Sequence, residues 1–374
     1  MSRPSTSLLR SLLRSSPSTS SPSSRSFSTN LTLRDPPKPP SVPVALIAKI
    51  RSSRPGTPLS LARSALIASN NDLNSALAWI AQQAKETGAA KQEKLAGRAA
   101  DQGLVAVAVL ADGTGGTGVR ASIVEIRCET DFVARTDEFR ELVEGIARSL
   151  AFFAEPTQGK ERGSAMVDLD IKSDSTLDMP VVPSPQQVSQ LAQSRDKVTP
   201  ETVRTSLASI VSRLGENIQF KRASSISFDP SLPTSTSPTF LASSYLHASK
   251  TPTDSAKDGV QSGTLGGLLI AKLAKGGQVD KPEIKSVLRS LARQVVAIPT
   301  SSITSSTSAP PLREGEPSTA LYDQQLITMA PSPKFEFEAG SNVRDVLKKW
   351  SKVRGVHGEG LEVVELARWE LGQE

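Results

Sequence analysis

Between residues 97 and 104 the spacing of apolar residues changes from helical to extended, which divides the chain into a helical leading part and a part that must be built on sheets. Upstream, Leu46, Ile47 and Ile50 form one helical face, and Arg54-Pro55-Gly56 breaks that helix. Thr57 is expected to cap the next helix, with Pro58 in its first turn and Leu59, Ala62, Ala65 and Leu66 at helical spacing. A third face follows Asp72 as Leu73, Ala76, Leu77 and Ile80. The expectation is a three-helix unit over residues 44–84 and a polar helical connector over 85–103.

From Leu104 to Leu110 the chain is continuously apolar, and from Ala121 to Cys128 it alternates. The intervening Asp112-Gly113-Thr114-Gly115-Gly116-Thr117-Gly118 supplies the positive φ values that a hairpin needs. Gly113 and Gly118 also have the spacing of a phosphate-cradling loop, but Val119-Arg120 stands where Lys-Ser/Thr is required, which disfavours nucleotide binding. In the second strand Val124, Ile126 and Cys128 point one way, and Glu125, Arg127 and Glu129 the other. Thr130-Asp131-Phe132-Val133-Ala134 comes next, then a helix capped by Thr136 and carrying Phe139, Leu142, Val143, Ile146, Ala147 and Leu150. Phe132 falls outside that register. From pattern alone it is either an exposed aromatic or a plug at the sheet edge, and the plug is the default reading.

Prolines 180, 183 and 185 among scattered Asp and Ser mark residues 155–200 as a flexible insertion separating a first core subdomain (104–154) from a second (201–374). In the second, Val203, Leu207, Ile210, Val211 and Leu214 predict a helix ended by Gly215, and Ile218 to Phe228 a strand whose Lys221 and Arg222 read as a solvated face and its edge. Gly263 to Leu273 reads as one strand. Asp280 and Glu283 are spaced as a capping box for a helix through Ile284, Val287, Leu288, Leu291 and Val295. Ser, Thr and Pro dominate the loop 301–317. A helix capped by Ser341 and carrying Trp350, then a strand from Leu361 to Leu371, complete the pattern, with Trp350 and Trp369 as core anchors.

Composition excludes several functions. With 26 prolines in 374 residues, roughly 250 residues are expected to fold. One cysteine, Cys128, and two histidines cannot supply a disulfide framework or a structural zinc cluster, so no metal and no cofactor is expected. No apolar run approaches the roughly 20 residues that cross a bilayer as a helix. The formal charge of +6 is concentrated at the N-terminus: residues 1–34 hold five arginines and no acid, leaving 39 basic against 38 acidic residues. A chain so nearly neutral has little electrostatic drive toward nucleic acid. The Ser- and Arg-rich segment 1–34, with Leu8, Leu9, Leu12 and Leu13 on one helical face, reads as a mitochondrial transit peptide, with Arg25-Ser26-Phe27-Ser28 resembling a matrix-protease site, and 35–43 as a Pro-rich linker.

The run Glu125-Ile126-Arg127-Cys128-Glu129-Thr130-Asp131-Phe132-Val133-Ala134-Arg135, followed by Asp137-Glu138-Phe139, resembles the signature of the elongation factor Ts family nearly residue for residue. Arg213-Leu214-Gly215-Glu216-Asn217-Ile218 is similar to a second signature, and Ser244-Tyr245-Leu246-His247 to a third, shorter one. The resemblance covers 44–152, 202–300 and, more weakly, 322–372. It implies an α+β fold in which an N-terminal three-helix, UBA-like domain precedes a core of two related subdomains, each an antiparallel sheet packed with helices.

The resemblance further implies a guanine-nucleotide exchange factor that has no active site of its own and binds mitochondrial elongation factor Tu as a heterodimer in the matrix, with no direct nucleic-acid or membrane contact. Asp131 and Phe132 become the wedge that enters the partner beside its Mg²⁺ and phosphate site, flanked by Thr130 and Val133. His247, Arg51 and Leu59 fall where relatives touch the same partner. The stretch Gly56 to Ser64 lacks the family's usual Asp-Cys-Lys-Lys, and no coiled-coil segment is evident. A ubiquitin-like or helix-binding adaptor that uses the three-helix unit is the alternative; it leaves the Thr130 to Ala134 corner unexplained. A hydrolase using Cys128 with His247 or His357 is a remoter third.

Overall fold

A computed structural model describes residues 41–54, 57–155, 166–193, 201–230, 237–248, 258–276, 279–305, 316–333 and 335–373. The expected leader over 1–34, most of the linker after it and residues 306–315 of the Ser/Thr/Pro loop lie outside the described residues.

The first three helices are α1 (Val44–Ser53), α2 (Leu59–Ala68) and α3 (Leu73–Leu95). They enclose Ile50, Ala62, Ala65, Leu66, Ala76 and Ile80 in a core of their own. Asn70 and Asn71 take positive φ values of 50° and 63° in the turn between α2 and α3, a conformation Asn tolerates, and Asp72 accepts the Ser75 N–H at 2.7 Å to start α3. Thr57 does not cap α2. Its hydroxyl donates back to the Arg54 carbonyl at 2.8 Å, and Pro58 occupies the cap position without a side-chain bond. The connector is the same helix continued: α3 runs 23 residues, and its second half lies on a later helix, α8 (Val203–Leu214). The crossing is close, since a Cβ on Gly88 would stand 2.2 Å from the Ala208 carbonyl oxygen, and Lys91 Nζ donates to the Ser212 carbonyl at 2.9 Å.

Two antiparallel sheets form the core. The chain first lays down β1 (Gln102–Asp112) and β2 (Val119–Cys128), then α4 (Asp131–Ala134), α5 (Asp137–Phe152), β3 (Val167–Asp168), α6 (Asp174–Leu177), α7 (Pro185–Gln193) and α8. It continues through β4 (Ile218–Phe228), β5 (Thr239–His247), β6 (Val260–Gly263), β7 (Leu265–Leu273), α9 (Lys281–Ala297), α10 (Val343–Val353) and β8 (Leu361–Glu370). One sheet has the order β3-β4-β2-β1-β6 and the other β5-β7-β8. Helices α5 and α8 cover the outer face of the five-stranded sheet, enclosing Leu104, Ala106, Ala108, Val124, Ile126 and Cys128. Its inner face packs Val105, Val107, Ala121 and Ile123 against Ala242, Leu246, Leu268 and Ile270 of the three-stranded sheet. Helices α9 and α10 close the far side around Leu269, Leu291, Leu347 and Trp350. Burial on both faces is why Leu104 to Leu110 is apolar without alternation. The fold is α+β, with both sheets antiparallel and packed with helices, as the resemblance implied.

The structure differs from the sequence reading in further places. Asn342, not Ser341, caps α10, its Oδ1 accepting the Asp345 N–H at 2.9 Å. Within 155–200, described residues 166–193 hold β3, paired with β4 through Val167 and Ser225, together with α6 and α7; Leu169, Ile171, Leu177, Met179 and Val181 pack on the α5/α8 core. Strands β4 and β6, from beyond residue 200, complete the sheet begun by β1 and β2, so the division between sheets does not follow the division in sequence. Gly263 to Leu273 is two strands: the chain leaves the first sheet at Gly263 and enters the second at Leu265. The Asp280–Glu283 capping box does not form, because Glu283 instead accepts from Trp350 Nε1 at 3.2 Å and Arg354 Nε at 2.7 Å.

The side of β2 that carries Glu125 and Arg127 is not solvated. Glu125 is fully buried, bonded to Arg127 Nε at 2.6 Å, Arg222 Nε at 2.7 Å and the Gly372 N–H at 3.2 Å. A register shift in the β2–β4 ladder at Glu125 brings Arg222 opposite it, and the guanidinium lies 4.4 Å from the Trp369 ring centroid. Arg222 is therefore held between β2 and the C-terminal strand and does not belong to a solvated face.

Candidate partner-binding corner

The last rung of the β2–β4 ladder pairs Cys128 with Ile218, and beyond it the two chain segments stay joined through side chains. Glu129 Oε1 accepts the Asn217 N–H at 2.6 Å. Thr130 gives both its donors to Glu216, the N–H to Oε2 at 3.1 Å and the hydroxyl to Oε1 at 2.6 Å. Asn217 Nδ2 in turn donates to the Arg98 carbonyl at 2.7 Å, just past α3, and the Arg98 guanidinium lies 3.5 Å from Glu129. Gly215, at φ 73°, ends α8 in the left-handed conformation and turns the chain so that Glu216 and Asn217 meet the corner.

From this clasp α4 projects as a single turn. Thr130 caps it, its oxygen accepting the Val133 N–H at 3.4 Å, and Thr136 closes the far side by donating to the Val133 carbonyl at 2.8 Å while accepting the Phe139 N–H at 3.2 Å. Helical geometry sets neighbouring side chains about 100° apart, so the two can lie on different faces of the turn. Val133 turns inward and packs in the core under α5, so its contribution is to anchor the turn and it is not a surface contact. Phe132 turns outward and is 80% exposed, the largest exposure among the large apolar side chains of the described residues. The sheet-edge plug that its sequence position favoured is not formed. Asp131 is half-exposed and pairs with Arg135 at 2.8 Å one turn on.

Thr130, Asp131, Phe132 and Val133 thus share one turn. Arg51, in the last turn of α1, and Leu59, at the start of α2, are exposed on the helical unit, and His247 is exposed at the end of β5; none has a hydrogen bond to the corner among the described residues. Glu216, Asn217 and Arg98, which hold the turn, received no role from sequence spacing, since their partners lie 86 to 119 residues away.

Cys128 ends β2 directly beneath this turn and is fully buried, its Sγ 3.2 Å from the Thr130 carbonyl oxygen. Burial, reinforced by the negative charge of Glu216, pushes the thiol pKa up to about 12, so the nucleophilic thiolate is not formed near neutral pH. The hydrolase reading fails on that point. The glycine-rich hairpin is likewise occupied structurally: Asp112 accepts from Thr114 at 2.6 Å and from Lys285 of α9 at 2.7 Å. Among the described residues no group of three or more His, Cys, Asp or Glu side chains could hold a metal ion, and no helix is long and apolar enough to cross a membrane.

A sequence profile of the family described as Elongation factor TS matches residues 129–307, a span that begins at the corner. The chain is similar to "Elongation factor Ts, mitochondrial" of Mycosarcoma maydis, at 32% identity covering 95% of this chain and 90% of that protein. The proteins of the same description from Coprinopsis cinerea and Malassezia globosa are 33% and 27% identical, over 90% and 88% of this chain and 93% and 88% of theirs. Sustained similarity across nearly the full length of each, over a signature that folds into an exposed and braced aromatic turn, leads to one conclusion: this chain belongs to the elongation factor Ts family.

Proposed function

We propose that this protein is the guanine-nucleotide exchange factor of mitochondrial elongation factor Tu, acting in the matrix as a heterodimer with that GTPase. The observation that carries the reading is Phe132, an aromatic left 80% exposed on a turn whose ends are fixed by Thr130 and Thr136. An exposed ring on a braced turn loses little conformational freedom on insertion, which favours tight contact. Mitochondrial placement is supported by the names of the relatives and by the Arg-rich leader composition.

The mechanism is a coupling between two ligands of one partner. A factor that binds the nucleotide-free GTPase more tightly than the GDP-bound form must, by linkage, weaken GDP by the same factor. Phe132 and Asp131 achieve this by holding open a conformation in which the Mg²⁺ and phosphate contacts cannot all form. A loss of about 4 kcal/mol of nucleotide affinity corresponds to about a thousandfold, within the range of one metal and a few charge-assisted hydrogen bonds. No covalent step is involved, and the excess of GTP over GDP sets the direction. Arg51, Leu59 and His247 are proposed as further contacts on the same partner. An adaptor working through the helical unit alone would leave Phe132 without a task.

The test is release of labelled GDP from purified mitochondrial elongation factor Tu. Addition of the mature protein is expected to accelerate release about a thousandfold at saturation. An unchanged release rate, with both proteins folded, would overturn the reading.

A further inference from the structure

We propose that Glu216 is the positioning residue of the exposed corner, setting the direction in which Phe132 is presented without itself touching the partner. This rests on the exchange reading and adds to it a residue on a different segment of the chain. Thr130 is the N-cap of the Phe132 turn, and both of its donors end on the one carboxylate, at 2.6 and 3.1 Å. A threonine hydroxyl has one proton. Committing that proton to Glu216 fixes the rotor, so that an oxygen lone pair faces the Val133 N–H, and the turn is then closed by a chain from amide to hydroxyl to carboxylate.

The second support lies on the far side of Phe132. Arg213, in the last turn of α8, pairs with Glu138 in the first turn of α5. The end of α8 therefore grips the chain both before and after Phe132, and the neighbouring bond from Asn217 to Glu129 keeps Glu216 in register. Glu216 and Asn217 extend the β2–β4 contact past its last rung, Arg213 of α8 holds α5 beside them, and together they give one side chain a fixed heading.

The experiment measures stimulated GDP release from mitochondrial elongation factor Tu as a function of factor concentration, for Glu216→Ala, Glu216→Gln and Thr130→Val, each alone and combined with Phe132→Ala, alongside thermal melting of every variant. Loss of a charge-assisted pair is expected to lower the saturating rate about tenfold for Glu216→Ala, with the half-saturating concentration moving less than about twofold. Glu216→Gln, which keeps one acceptor, is expected to fall between it and the wild type. In the Phe132→Ala background Glu216→Ala is expected to add nothing, because the residue acts through that ring. Additive losses, a rise confined to the half-saturating concentration, or a wild-type saturating rate would each overturn the proposal. If Glu216→Ala melts below the assay temperature, Glu216→Gln and Thr130→Val carry the same test. Failure of the exchange reading is distinguishable, since the wild type itself would then leave GDP release unaccelerated.

Discussion

Phe132→Ala is expected to lower the saturating rate of stimulated GDP release by about a hundredfold while the melting temperature stays within about one degree of the wild type. The two halves of that result come from one observation. The ring is 80% exposed, so its truncation removes almost no apolar area buried within this chain, and surface changes of that kind fall within about 0.5 kcal/mol. The elements that hold the turn are untouched: the Thr130 cap, the Val133 anchor and the Thr136 bond. Truncation of an aromatic that enters a partner's pocket costs on the order of 2 to 4 kcal/mol, and if that interaction is made only in the opened state the cost falls on the rate. A core phenylalanine would behave in the opposite way, losing about 3 to 5 kcal/mol of stability and leaving exchange normal in the folded fraction.

Glu125→Ala is expected to do the reverse, destabilising the fold by about 3 to 5 kcal/mol, which is a large share of the 5 to 15 kcal/mol typical of a domain. The carboxylate is fully buried and holds Arg127 at 2.6 Å and Arg222 at 2.7 Å, and it also accepts the Gly372 N–H. Its removal leaves two guanidinium groups at a covered site without their counter-charge, although the partial exposure of Arg222 reduces its share. It also frees the C-terminal end of β8, which Arg222 holds through the Glu370 carbonyl at 3.3 Å. Urea unfolding followed by circular dichroism should show a lower midpoint at unchanged slope. An unfolding free energy within about 0.5 kcal/mol of the wild type would mean that the buried cluster contributes little.

These two residues also mark how far the sequence could be read. The alternation of Val124, Ile126 and Cys128 placed them on the face that α5 and α8 cover, because a strand's period of two is local information. The same alternation put Glu125 and Arg127 on the other face. It could not say that the three-stranded sheet and the C-terminal residues would cover that face too, since those segments arrive from about 100 to 250 positions away. Glu283 shows the same limit at short range: its spacing from Asp280 satisfied the capping pattern, but Trp350 and Arg354 offered the carboxylate stronger partners. In 155–200 the prolines were given more weight than the apolar residues at 169, 171, 177, 179 and 181; Leu177 ends α6, and Met179 and Val181 flank Pro180, which is bridged to Thr202.

For the corner, spacing alone placed Phe132 outside the helical register and stopped there. Whether a side chain in a strand-to-helix connection faces in or out depends on how the turn is capped, and the cap is braced by Glu216, which no local pattern connects to Thr130. The resemblance to a known signature implied the role, and the geometry accounts for the exposure of the ring. The turn that buries Val133 leaves Phe132, about 100° round the helix from it, exposed.

The central claim is that the Phe132 corner and bound GDP oppose each other on one partner. The most direct measurement is the affinity of this protein for mitochondrial elongation factor Tu in its nucleotide-free and GDP-bound forms, set against the affinity of that GTPase for GDP with and without this protein. The account predicts two equal ratios of about a thousandfold, both collapsing toward unity with Phe132→Ala. Equal affinity for the two forms of the GTPase, or a ratio that survives the loss of Phe132, would contradict it.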